Sequence, residues 1–242
     1  MAKANISYRV FLLWLFAALL PAVAVQADHG PRTGKAMSSV IVVEPIWPGY
    51  TRPGFGAPPG TAPAGSGVFF GSKPVSRYIL TAAHVVRRAT RIEIVDANGY
   101  RHDAELFAID EARDIAVLKS DFAAAPIPVR SDSPLVGEHA CAIGNSFGLG
   151  LSLTCGVVSA THRRNVGFNA IEDFIQTDAA INPGASGGAL VDADGKLVGL
   201  VDGIFTKEAD IDAGVNFAIS VQLITDALDR MQSRHPELPP LH

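Results

Sequence analysis

The chain has 242 residues, enough for one domain of two halves or for two small domains with ample core. A net charge of -4, with 48% hydrophobic and 18% charged residues, describes a globular protein and excludes both a disordered tail and a nucleic-acid binder built on a basic surface. The short basic clusters Arg87-Arg88 with Arg91, and Arg163-Arg164, read as solvated loop and strand residues.

Lys3 and Arg9 precede the apolar run from Val10 to Leu20, and Val25-Gln26-Ala27 places small or branched residues at alternate positions. This is the pattern of a secretory signal peptide cleaved after Ala27, which predicts export to the periplasm or beyond. An uncleaved membrane anchor is the alternative, because the apolar run approaches bilayer-spanning length. The two cysteines, Cys141 and Cys155, flank the glycine-rich turn Gly144 to Gly150 and fit an oxidising compartment if they pair. Sequence leaves a cross-strand bridge and two unlinked buried thiols equally open.

Residues 28–37 read as a flexible N-terminal segment and Val40-Ile41-Val42-Val43 as a first buried strand. Pro45, Pro48, Pro53, Pro58, Pro59 and Pro63 then argue against regular structure. Trp47, Tyr50 and Phe55 within that loop either pin it to the surface or contact a partner. Short strands follow: Val68-Phe70, Tyr78-Leu80, the alternating Arg91-Val95, a tight turn at Asn98-Gly99, Ala104-Ile109 and the apolar Ile115-Leu118. Pro126, Pro128 and Pro134 mark a linker. A second half repeats the style with Ala140-Ile143, Leu153-Val158, Phe174-Thr177, Ala189-Val191, Leu197-Val201 and Val215-Ile219. Many short strands with regular turns predict an all-β sandwich or barrel architecture. Ser220 can cap a C-terminal helix over about 220–233 whose apolar stripe is Ile224, Ala227, Leu228 and Met231.

The stretch from Asn182 to Leu190 concentrates three glycines and a proline around Ser186. Glycine tolerates positive φ and close backbone approach, so Gly-Ala-Ser-Gly-Gly can expose a hydroxyl and converge amides on one point. An acyl-transfer nucleophile needs both, together with a base. The amides of Gly184 and Ser186 are the candidates for stabilising an oxyanion. An ordinary loop is the competing reading of this stretch alone. Of the seven histidines, His84 stands out because it ends a strand that runs into the small-residue turn Thr81-Ala82-Ala83. Asp114 opens the buried run Ile115-Ala116-Val117-Leu118, where an acid is expensive without a partner. A turn aspartate capping backbone amides is its alternative role.

These pieces, in the order His84, Asp114, Ser186, resemble the trypsin-like (chymotrypsin-fold) serine proteases. Gly65-Ser66-Gly67-Val68-Phe69, Ala142-Ile143-Gly144-Asn145-Ser146-Phe147-Gly148, Gly156-Val157-Val158-Ser159-Ala160 and Ile175 to Gly184 are similar to the protease domain of the HtrA/Deg family. The resemblance implies an all-β fold of two six-stranded antiparallel β-barrels, about 38–130 and 135–219, with a C-terminal helix, within a protease domain spanning 38–235. It implies His84 as general base, Asp114 as its orienting carboxylate, Ser186 as nucleophile, and no metal or other cofactor. Substrates would be unfolded or misfolded proteins. The base of the primary specificity pocket falls on Ala180, with Ile204 and Gly214 as neighbours, and this predicts small or medium apolar side chains before the scissile bond. Family members often form homotrimers through N-terminal segments.

Three departures from the family pattern stand out. Ala185 replaces the usual asparagine before the serine, Asn216 stands where a smaller residue is common, and the chain leaves no room for the PDZ domain that usually follows. Activation by a peptide bound to a PDZ domain is therefore not expected. Two further readings remain: a chaperone-like or scaffold protein with little turnover, and a processing protease dedicated to one partner.

Overall fold

The computed structural model describes residues 30–48, 64–204 and 214–241. The signal-peptide segment, and Tyr50 and Phe55 of the proline-rich loop, lie outside the described residues.

The first half folds into β1 (Val40–Ile46), β2 (Gly65–Phe69), β3 (Ser76–Ala82), β4 (Arg91–Val95), β5 (Arg101–Asp110) and β6 (Ile115–Ala124). They close a barrel in the order β1-β2-β3-β6-β5-β4. The second half supplies β7 (His139–Gly144), β8 (Ser152–Arg163), β9 (Phe174–Thr177), β10 (Ala189–Asp192), β11 (Leu197–Ile204) and β12 (Asn216–Ser220). These close in the order β10-β11-β12-β9-β8-β7. Closure leaves no open sheet edge among the described strands. Every paired neighbour is antiparallel, which accords with short turns such as the one at Gly99, where φ is +83°.

Each barrel has its own apolar filling. Ile41, Val43, Phe69, Ile79, Ile94 and Leu118 pack in the first, and Ala142, Val158, Ile175, Leu190, Val198 and Val201 in the second. A third cluster joins them: Val68, Leu80 and Val117 of the first barrel pack in one continuous group with Ile143, Ala189 and Leu200 of the second. Helix α3 (Val221–Gln232) closes that seam, burying Leu223, Ile224, Ala227, Leu228 and Met231. Its N-terminus is capped as the sequence predicts, with the Ser220 hydroxyl accepting from the Leu223 amide at 3.2 Å.

Three details differ from the sequence reading. Helix α1 (Gly30–Ala36) occupies the segment expected to be flexible over 28–37. The helix has little intrinsic propensity; it is held by docking, with Ala36 and Thr33 buried and Arg32 paired to Asp194 at 2.6 Å on the β10–β11 turn. β1 also runs through Pro45, which lies opposite Ile92. Pairing with β2 ends at Val43, so β1 is one-sided there and tolerates a residue without an N–H. Finally, α3 is accompanied by the short helix α2 (Ala83–Val86), which carries His84.

Cys141 and Cys155 face each other across the β7–β8 ladder and are joined by a disulfide. Of the two arrangements left open by sequence, the bridge is the one present.

Candidate active site

β3 ends at Ala82, and the one-turn α2 lifts His84 to the mouth of the first barrel. Asp114 reaches it from the turn before β6. Its backbone is left-handed, φ +56°, a conformation that aspartate tolerates better than most side chains. That geometry lets one residue hold the histidine twice and its neighbour Ala83 once. The Asp114 carbonyl accepts from the Ala83 amide at 3.0 Å, its Oδ1 accepts from the His84 amide at 2.7 Å, and its Oδ2 meets His84 Nδ1 at 2.5 Å. Burial pushes the Asp114 carboxyl up, but the hydrogen bond and charge of His84 outweigh it and leave it below the ordinary 3.8. An ionised carboxylate on Nδ1 leaves Nε2 as the nitrogen free to accept a proton.

Ser186 sits on the second barrel, in the loop entering β10. Gly184 and Gly187 have φ of +99° and +82°. A Cβ on Gly187 would overlap the Ser66 carbonyl and the Thr81 hydroxyl, and one on Gly184 would overlap the Asn145 carbonyl. The glycines are therefore required for both backbone angle and space. The Ala185 amide donates to the Asn182 carbonyl at 3.0 Å, and the Gly188 amide to the Ala185 carbonyl at 2.9 Å. Among the described residues, the amides of Gly184 and Ser186 have no hydrogen-bond partner. The Ser186 hydroxyl donates to the backbone carbonyl of Asp202 at 2.9 Å. A hydroxyl has one proton, so in this arrangement it is not given to His84.

Sequence reasoning missed two residues here. Ser66, fully buried in β2, ties the barrels together at the site. Its hydroxyl donates to the Gly184 carbonyl and accepts from the Asn145 amide, both at 2.9 Å, and its own amide donates to the Ser186 carbonyl at 2.8 Å. Asp202 lies in β11 at a register shift: Val201 opposes Ala218 and Gly203 opposes Phe217, leaving Asp202 as the extra residue of a bulge. Bulges re-aim side chains, and this one turns a buried carboxyl towards Asp114. Signals for both existed, in a serine between two glycines and in an acid inside the apolar run Leu200-Val201.

Of the specificity residues named from sequence, Ala180 is half-buried and its carbonyl accepts from Thr154 Oγ1 at 2.5 Å. Gly214 is exposed with φ +73°, and Ile204 pairs with Asn216 through the β11–β12 ladder. Asn216 is fully buried and donates to the Ala179 carbonyl at 2.9 Å, so it braces the segment that carries Ala180.

His84, Asp114 and Asp202 bring ligand-type atoms within 4.8 Å of one another. Two of them already engage one another, since His84 Nδ1 is committed to the Asp114 carboxylate. A second group, His139 with Cys141 and Cys155, offers no thiolate because both sulfurs are in the disulfide.

Two closed antiparallel barrels, with a histidine–aspartate pair on one and a glycine-bounded serine on the other, define the chymotrypsin-like architecture. The chain belongs to the family whose model is described as the trypsin-like peptidase domain, matched over residues 65–200. Within it the likeness is to HtrA-type proteins. A probable periplasmic serine endoprotease, DegP-like, of Buchnera aphidicola subsp. Baizongia pistaciae is 40% identical over 181 residues, covering 72% of this chain and 38% of that protein. The periplasmic serine endoprotease DegP of Escherichia coli K12 is 37% identical over 170 residues, covering 69% of this chain and 35% of its own length. Among solved structures, the HtrA-type protease AlgW with tripeptide superposes with a TM-score of 0.73 at 36% identity, over 86% of this chain and 64% of that one. The chain thus spans little more than a third of the length of these curated relatives.

Proposed function

We propose that this chain is an exported serine endopeptidase that cleaves unfolded or damaged proteins through an acyl-enzyme on Ser186. The observation that carries the reading is the double grip of Asp114 on His84, through the backbone amide and Nδ1, set beside the glycine-bounded loop of Ser186. Substrate binding turns the Ser186 hydroxyl from the Asp202 carbonyl to His84. His84 Nε2 takes the proton as Oγ attacks the scissile carbonyl. The oxyanion is received by the Gly184 and Ser186 amides, whose lack of other partners suits them to it. The imidazolium then protonates the departing amine as the C–N bond breaks. Water, deprotonated by the same histidine, hydrolyses the ester and restores the serine.

A specificity pocket based on uncharged Ala180, with Ile204 and Gly214 beside it, favours small or medium apolar side chains before the cleaved bond. The likeness to periplasmic serine endoproteases supports a periplasmic location, and unfolded proteins are the substrates that the family resemblance implies. A homotrimer is the assembly expected of this family.

The test is labelling of the purified protein with a fluorophosphonate, followed by hydrolysis of unfolded casein. Labelling at Ser186 that disappears in S186A and H84A supports the reading. A folded wild-type protein that is neither labelled nor active, even with unfolded protein present, favours a binding protein in a protease fold.

A further inference from the structure

The carboxyl of Asp202 has no task in a mechanism that uses only its backbone carbonyl, yet it is carried inward by the β11 bulge and is only 6% exposed. One of its oxygens, Oδ2, accepts from Asn169 Nδ2 at 3.0 Å. A carboxyl oxygen of Asp202 also lies within 4.8 Å of one of Asp114, and both carboxyls are buried. Two buried carboxylates this close repel, and a proton on one of them relieves the repulsion. Asp114 is held ionised by the two bonds from His84, so the proton belongs to Asp202. Burial, chiefly, and then the charge of Asp114 push the Asp202 carboxyl well above its ordinary value, in keeping with this assignment.

Its other neighbours fix the arrangement. Asn169 belongs to the loop between β8 and β9, whose amides at Val166, Gly167, Phe168 and Asn169 all donate to the Glu172 carboxylate at 2.6 to 3.1 Å. The Ile171 amide donates to the Ala112 carbonyl at 2.8 Å, two residues before Asp114. Among the described residues, the ionisable groups around Asp202 are Asp114 and His84 from the first barrel, Glu172 from this loop, and Arg87 and Glu111 in the lining of the same cleft, whose volume is about 430 Å³.

We propose that Asp202 is a positioning residue for the Ser186 reaction, a neutral carboxylic acid that donates a hydrogen bond to Asp114, and that its deprotonation sets the alkaline limit of activity. While protonated, it holds the Asp114 carboxylate against His84 and adds no second charge. Loss of the proton to solvent leaves two carboxylates in contact. They repel, Asp114 loses one of the bonds that aim it, and the imidazole loses its fixed tautomer. The inference rests on the His84–Asp114–Ser186 reading above.

The fluorophosphonate labelling rate and casein hydrolysis are measured against pH for wild type, D202A, D202N and N169A, with S186A as the blank and circular dichroism to confirm folding. D202A removes the donor and lowers kcat by about ten-fold or more, the worth of one hydrogen bond to a charged group. D202N restores a donor towards Asp114 and an acceptor for Asn169; it recovers most of that loss and abolishes the alkaline fall in rate. N169A removes a bond that lowers the Asp202 value, so the alkaline limb moves to higher pH. Carbon-13 NMR of aspartate carboxyls reads the proton directly, as a signal missing in D202N that titrates well above the ordinary aspartate range. The proposal is overturned if wild type and D202N share one pH profile, or if every aspartate signal titrates in the ordinary range. A wild type that is not labelled at all overturns the triad reading instead, while the NMR titration still reports on Asp202.

Discussion

Replacing Ser66 with alanine deletes one oxygen and strands two backbone groups in the interior. The Gly184 carbonyl loses its donor and the Asn145 amide its acceptor, each bond being 2.9 Å long. An orphaned buried polar group costs about 1–3 kcal/mol. The two together should cost about 3 kcal/mol, towards the lower end of their sum because Gly184 borders solvent and water can reach its carbonyl. For a chain of this size that lowers Tm by about 6–12 °C. The loss should also reach the chemistry, since the Gly184 peptide carries one proposed oxyanion donor; loosening it should slow fluorophosphonate labelling about ten-fold or more. Urea unfolding and labelling kinetics on the same protein check both. A variant within about 0.5 kcal/mol of wild type that labels at the wild-type rate would refute the claim that Ser66 holds this loop.

At Gly187 an alanine must adopt positive φ and overlap the Ser66 carbonyl, so G187A should lose about 3 kcal/mol or more by urea titration, with labelling of Ser186 abolished. Removing the Cys141–Cys155 bridge in a double alanine variant frees a loop of 14 residues in the unfolded chain and should lower stability by about 3 kcal/mol, read from the urea midpoint. Asp114 has a folded value below the ordinary 3.8, so its contribution is complete above that value and is lost as pH falls through the lower one. D114N should therefore show a shallower acid decline of the urea midpoint below about pH 4 than wild type does; an identical slope would count against the His84–Asp114 bond.

The barrel strands were legible because their apolar runs are short and are separated by glycine, proline and Asn98-Gly99. The His84 turn and the glycines around Ser186 were legible because they answer local demands of backbone angle and space. Features set by tertiary contact were not. The segment Gly30–Ala36 contains two glycines and a proline and has no apolar stripe; it becomes helical through docking on the second barrel. Ser66 looks like any small polar residue until β2 is placed beside the Gly184 loop. Asp202 is an acid beside an apolar run, but the direction of its carboxyl is set by the bulge in β11. Pairing of Cys141 with Cys155 required the β7–β8 register, which composition does not fix.

The core cluster shared by the two barrels gives the site a dependence on assembly. In the proposed mechanism the imidazole and its carboxylate come from one barrel and the serine and its loop from the other, so the three groups can act together only while the seam and α3 are packed. Neither half alone contains the three groups. If the chain were cut in the linker near Pro126, activity would become a second-order property, rising with the product of the two fragment concentrations and vanishing on dilution. In the intact chain the linker replaces that dependence with a fixed local concentration, and the competence of the site becomes a report on whether the whole molecule is folded.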